Sequence, residues 1–209
     1  MDPAKESTCT TCTYAEDFSN YWTASLYFRS PENGTYKMVP QMTNFRSADG
    51  EQNPIGGGIT VYYMTAFGSG QSGKTTSFRP GFRMLSGNAS LRSKGTKGIC
   101  HRCNGHGLGR FPCDKDPAEL PLKPCPGGIR GTVVFPSCWD GKNLDSPDHQ
   151  SHVAYTPDGE ILANAQCPPS HPIRVPQVMF EMQWDTRTFN DPKYFAGGKQ
   201  PFVYSFGDG

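Results

Sequence analysis

The stretch that decides the fold is Gln177–Thr186, "QVMFEMQWDT", because its apolar and polar residues alternate with a period of two. In an extended strand successive side chains point to opposite faces, so Val178, Phe180, Met182 and Trp184 form one side and Met179, Glu181, Gln183 and Asp185 the other. Working outward, Asn20–Ser30 ("NYWTASLYFRS") puts Trp22, Ala24, Leu26 and Phe28 on one face. Gly57–Phe67 ("GGITVYYMTAF") and Arg130–Pro136 ("RGTVVFP") are further apolar runs bounded by Gly or Pro. No segment predicts a helix longer than a turn or two. Gly 24 and Pro 19 in 209 residues, with 12% aromatics, fit short strands joined by many turns. The expected fold is all-β: an antiparallel two-sheet sandwich or jelly roll with long disulfide-tied loops, forming a single domain over 1–209. Residues 87–131, rich in cysteine and poor in apolar periodicity, are expected to be a loop excursion from it.

Composition narrows the function classes. The formal charge is +1 and the basic residues are scattered, which argues against nucleic acid or an anionic membrane as partner. No apolar run is long enough to span a bilayer, and the first residues lack the hydrophobic segment of a signal peptide. Eight cysteines and the sequons Asn33-Gly34-Thr35 and Asn88-Ala89-Ser90, with Asn33 and Asn88 as acceptors, point instead to an oxidising secretory route. The two signals are reconciled if the chain is a fragment or begins after its signal peptide. Oligomeric state is not set by any of these features.

Two motifs invite other readings. Ala66–Phe78, "AFGSGQSGKTTSF", holds Gly68, Gly73, Lys74 and Thr75 in phosphate-loop spacing. Pro80 and Gly81 follow too soon for the helix that must stand behind such a loop, so a connector between strands is the preferred reading. In "CHRCNGHGLGRFPC", Cys100 and Cys103 with Gly105 and Gly107 copy one half of a zinc-binding chaperone repeat, but the only other C-x-x-C is Cys9 and Cys12, far upstream. A disulfide framework over Cys9, Cys12, Cys100, Cys103, Cys113, Cys125, Cys138 and Cys167 is preferred, with about 105 possible pairings.

The densest polar constellation is Cys138–Gly159, "CWDGKNLDSPDHQSHVAYTPDG". His149 and His152 are three apart, a spacing that on a turn brings both imidazoles to one side, where with His171 they can hold a divalent metal beside Asp145 or Asp148. Asp148, His149, His152 and Arg174 are the candidate catalytic groups, and Trp139, Tyr155 and Trp184 the candidate sugar-stacking aromatics, with Trp22 and Tyr63 also available. The opposing reading is that Asp and His here only satisfy local backbone N–H groups. His101 and His106 read as surface residues. Glu181 and Asp185 share a strand face but lie about 13 Å apart, too far for a glycosidase pair, so a partner for Glu181 must come from another strand.

The blocks "SNYWTASLYF", "GITVYYM", "RPGFRMLSG", "FPSCWDGKNLDSPDHQSHVAY", "CPPSHPIRVPQVMFEMQWDT" and "QPFVYSFGDG" resemble, in order from Cys9 to Gly209, a secreted fungal family known as domain of unknown function nineteen ninety-six, often joined to wall-binding WSC domains. The resemblance implies a secreted fungal protein with "SCWDGKN" and "DHQSH" as its signature. It also implies flanking His-x-His and His-Gly-Asp segments that this sequence lacks. The resulting expectation is a hydrolase or lyase acting on cell-wall or plant polysaccharide. The alternatives are a non-catalytic wall-associated or carbohydrate-binding module and, as the weakest, a nucleotide-binding protein. The cofactor is open, a divalent metal being the one candidate.

Overall fold

A computed structural model describes residues 3–9, 12, 14, 16–43, 58–65, 75–88, 90–91, 97–104, 113, 116–157, 159, 165–205. The phosphate-loop residues Gly68, Gly73 and Lys74, and His106, lie outside them. After a four-residue helical turn, Pro3–Glu6, the described chain is built of strands: β1 Leu26–Arg29, β2 Tyr36–Met38, β3 Gln41–Met42, β4 Ile59–Met64, β5 Ile99–Cys103, β6 Ile129–Val134, β7 Cys138–Trp139, β8 Val153–Ala154, β9 Ile173–Arg174, β10 Gln177–Trp184 and β11 Phe202–Tyr204. Two 3₁₀ turns, Arg187–Phe189 and Pro192–Gly198, connect the last two strands. All described pairings are antiparallel.

Strand β10 is the spine, as its alternation predicts. It pairs with β6 along one edge, while β4 and β3 share the other, β4 at Gln177–Met182 and β3 at Gln183–Trp184. Strand β5 extends this five-stranded sheet beyond β6. A second sheet, β11-β1-β2, packs against it, and a small third sheet, β8-β7-β9, carries the signature loop. Between the first two sheets lies the core, where Leu26, Phe28 and Phe202 meet Ile129, Phe180, Met182 and Trp184. The all-β, sandwich-like fold read from the sequence is therefore the fold of this chain.

Three details differ from expectation for identifiable reasons. The first strand begins only at Leu26, leaving Trp22 at 40% exposure instead of in the core. The segment 87–131, expected to be a loop excursion, contains β5, whose Ile99–Cys103 register with Val133–Ile129 makes it part of the main sheet. The polar face of β10 is buried like the apolar one. Glu181 there is held by Arg130 at 3.4 Å and by the Tyr62 hydroxyl at 3.1 Å, and Gln183 accepts from Asn104 at 2.6 Å. Alternation reports which residues share a face, and long-range polar partners decide whether the second face can also leave water.

Three disulfides tie the loops: Cys100–Cys113, Cys103–Cys125 and Cys138–Cys167. The expectation that all eight cysteines are paired is corrected at Cys9 and Cys12, which stand outside these bridges. Cys9 is exposed on the N-terminal segment.

Candidate functional site

Two features are candidates: the signature loop Asp140–His152, and a groove between the two large sheets.

The loop is built by carboxylates that organise their own backbone. Asp140 accepts from the N–H groups of Lys142 and Asn143 and from the Asn143 amide. Asp148 Oδ1 accepts from the N–H groups of Gln150 and Ser151 and from both serine hydroxyls, Ser146 and Ser151. These donors, led by the Ser151 and Gln150 N–H groups, hold the Asp148 carboxyl well below the usual carboxylate range. Asp148 is thus the hub of a turn, as the local-satisfaction reading has it. His149 Nδ1 donates to Asp145 Oδ1 at 2.6 Å, and its backbone is held at φ 54°, a left-handed conformation uncommon outside glycine. Partial burial pushes the Asp145 carboxyl up. The hydrogen bonds from His149 and the Ser146 N–H, with the charges of His149 and His152, outweigh it and leave the carboxyl below its ordinary value.

His152 is different in kind, being only 1% exposed. Its Nε2 lies 2.7 Å from the Arg83 carbonyl oxygen and its Nδ1 2.8 Å from Ser146 Oγ, and its ring packs 5.3 Å from that of Phe82. His171, expected as a third ligand, uses its two nitrogens on the Ser170 hydroxyl and the Ser151 carbonyl. The metal expectation for His149, His152 and His171 is therefore corrected: among the described residues no three His, Cys, Asp or Glu side chains converge as a metal group. Both ring nitrogens of His152 and of His171, and Nδ1 of His149, are taken by hydrogen bonds to hydroxyl, carbonyl and carboxylate oxygens.

The other candidates are placed elsewhere. Arg174, on β9, reaches the Ser137 hydroxyl and the Ala165 carbonyl, bracing the Cys138–Cys167 bridge rather than the histidines. The sugar-stacking expectation fails for Trp139 and Trp184, each 2% exposed and packed in a core, with the Trp139 indole donating to the Asn143 carbonyl. Their spacing belongs to buried strand faces. Tyr155 is half-buried, and its hydroxyl donates to the Val134 carbonyl. Asn33 and Asn88 are both exposed on turns that their own side chains close, by accepting from the Thr35 and Ser90 N–H groups.

The groove encloses about 920 Å³. Its floor is the inner face of β5, β6 and β10, with Ile99, Val133, Phe180 and Met182, and β11 forms one side. Trp22 stands on it half-exposed, and the amides of Asn20, Asn88, Gln150 and Gln200 are set among the apolar residues. His101 is also there, buried rather than on the surface as expected from its cysteine-rich surroundings. Since the Ala118 carbonyl can only accept, His101 Nδ1 carries the proton at 2.8 Å. Nε2 then takes the Tyr204 hydroxyl proton at 3.0 Å. Burial depresses the His101 value, against the Ala118 hydrogen bond and the charges of Glu119 and Asp116, and keeps the ring neutral. Burial likewise raises the Tyr204 hydroxyl above its ordinary value, opposed by the nearby Trp184 indole. The sequence holds a signal for this pair in "ICHRC", five residues of period two after Gly98, which places His101 on the face of Ile99 and Cys103.

With this geometry in hand, comparison across the whole chain is decisive. Residues 1–209 match the family described as Domain of unknown function (DUF1996). The chain belongs to that family. Neither the curated proteins nor the solved structures contain a match. Family membership carries no activity with it, so function has to be argued from the loop and the groove.

A measurable consequence of the loop concerns acid. Because the folded Asp148 carboxyl titrates below its unfolded counterpart, near 3.9, it contributes stability that is present above that value. The contribution is lost as pH falls through the lower, folded value. The Asp148→Asn variant is expected to melt lower than wild type at pH 7 and to show a flatter decline between pH 5 and 2. Thermal melts across that range test it, and parallel profiles for the two proteins would sink the assignment.

Proposed function

We propose that this chain is a secreted fungal protein that binds a cell-wall or plant polysaccharide in the inter-sheet groove, as a carbohydrate-binding module. The observation that carries the reading is the groove itself, an apolar floor with Trp22 exposed on it and amides along its length. Apolar and aromatic surface suits the C–H faces of sugar rings, while amide groups suit their hydroxyls. Among the lining residues Glu119 alone is charged, His101 being neutral, so an uncharged glycan is favoured over a uronate polymer. Three disulfides fit the oxidising compartment that a secreted protein traverses. Among the described residues no helix is long and apolar enough to cross a membrane.

The test is depletion of the protein from solution by a panel of insoluble fungal and plant wall polysaccharides. Trp22→Ala is expected to weaken retention about tenfold, equivalent to about 1.4 kcal/mol, with an unchanged melting temperature. Retention that is indifferent to Trp22, or that follows polymer charge, would overturn the groove as the site.

The hydrolase or lyase reading keeps one specific support. The Asp145–His149 pair is partly exposed, with side-chain exposures of 33% and 45%, and a carboxylate fixing Nδ1 leaves Nε2 available as a general base. Gln150, the next residue, lines the groove, which places this pair beside its mouth. Soluble products released by wild type and missing with His149→Ala would favour that reading over simple binding.

A further inference from the structure

Ser146 and His152 meet in a way that local turn-making does not require. The Arg83 carbonyl oxygen, 2.7 Å from His152 Nε2, can only accept, so Nε2 carries a proton. In the neutral ring Nδ1 therefore presents a lone pair, and Ser146 Oγ lies 2.8 Å from it. The same hydroxyl is 2.8 Å from Asp148 Oδ1. A hydroxyl has one proton, so when Ser146 donates to Asp148 the ring must donate from Nδ1 and be cationic. When the ring is neutral the serine proton turns to Nδ1, and Asp148 keeps its three other donors. The arrangement thus accommodates His152 with one proton or two.

We propose that Ser146 is a nucleophile, His152 its general base and the Arg83 carbonyl the group that orients the base, making this loop a site that removes O-acyl groups from polysaccharide hydroxyls. A nucleophile, a base within hydrogen-bond reach and a third group fixing the base are the parts such chemistry needs. Pro147 restricts the backbone of Ser146 to extended conformations, and the His149 N–H closes a turn on the Ser146 carbonyl at 2.8 Å, so the hydroxyl is held in place. Ser146 is half-buried rather than enclosed. Asp145 and Asp148 stabilise the imidazolium that forms when the serine proton arrives.

In the reaction Ser146 Oγ attacks the ester carbonyl carbon while its proton passes to His152 Nδ1. The new O–C bond forms, the ester C–O bond breaks, and Nδ1 returns the proton to the departing sugar oxygen, giving a free hydroxyl and an acyl-serine. Water, giving a proton to Nδ1, then attacks the acyl carbon, the C–Oγ bond breaks and Nδ1 returns that proton to Oγ, releasing the carboxylic acid and restoring Ser146. Placing the substrate on a polysaccharide rests on the groove reading. Arg83, which orients His152, is followed directly by Met84 and Leu85 of the groove wall, and Leu85 N–H bonds the His149 carbonyl at 2.8 Å, so loop and groove are built on one segment.

The whole chain treated with an alkyl fluorophosphonate is expected to carry one adduct, on the peptide containing Ser146, and to release acetate from acetylated xylan. Ser146→Ala should lose the adduct and slow acetate release at least about 100-fold, with the polysaccharide retention of wild type and a melting temperature lowered only by the loss of its hydrogen bonds to Asp148 and His152. No adduct on folded wild type, an adduct on Ser151 instead, or unchanged release by Ser146→Ala overturns the proposal. Should that variant fail to fold, labelling of wild type decides alone. Failure of the groove reading would show separately, as lost retention with the Ser146 adduct intact.

Discussion

Replacing Cys138 and Cys167 together by alanine is expected to destabilise the protein by about 3–4 kcal/mol, the loop-entropy value for a bridge of this span. The two cysteines are 29 residues apart. The enclosed chain contains the signature loop and β8, and the small sheet beside the bridge is short: β7, β8 and β9 are two residues each. Two-residue strands contribute little register of their own, so the covalent tie carries an unusual share of the ordering here. Cys138 itself is fully buried and pairs across β7 with Ala154 on one side and Arg174 on the other. Loss of the bridge therefore loosens both partners, and the adjacent Trp139 with them. For a chain of this size the melting temperature should fall by about 10 °C, accompanied by a change in tryptophan emission. Cys9→Ala with Cys12→Ala is the internal control, since both lie outside the three bridges described, and it should lower the melt far less. A fall of less than about 1 kcal/mol for the Cys138/Cys167 variant would mean that the small sheet is held by its packing alone.

The contrast between the two cysteine pairs shows what sequence could and could not convey. Alternation in Gln177–Trp184 fixes strand faces because the period is a local property of the backbone. Hence the sheet core of Phe180, Met182 and Trp184 was legible. Pairing of Cys100 with Cys113 and of Cys103 with Cys125 is set by where strands β5 and β6 bring loops together, and spacing does not encode it. The same distinction runs through the site. That Asp148 would cap its own turn was readable from "SPDHQS", since the donors are two to three residues away. That His152 would lean on the carbonyl of Arg83, 69 residues earlier, was not. His101 was misread for a third reason: surroundings rich in cysteine and glycine suggested a surface loop, whereas "ICHRC" is a strand whose inward face includes it. Trp139 and Trp184 look like sugar platforms only until burial is known. Trp22, more exposed than its strand-like spacing suggested, lines the groove instead.

His149 and His152 stand three residues apart in one motif, yet they are expected to respond very differently to truncation. His152→Ala removes a ring that is 1% exposed, takes away the donor to the Arg83 carbonyl and opens space beside Phe82. A cavity plus the loss of the hydrogen bonds to the Arg83 carbonyl and Ser146 hydroxyl sums to about 2–4 kcal/mol. His149→Ala breaks a partly exposed, solvent-screened pair with Asp145 and should cost less than about 1 kcal/mol. Urea melts of the two variants separate these values readily, and equal or reversed costs would show that the loop is organised around His149 instead. The ordering bears on every activity assay of this motif. A double alanine variant of both histidines carries the full His152 cost and is expected to disorder the loop, so its silence would identify no catalyst. Single changes at positions whose loss the fold tolerates, Ser146→Ala for acyl transfer and His149→Ala for proton abstraction, carry the chemical information, while His152→Ala reports how the loop is held.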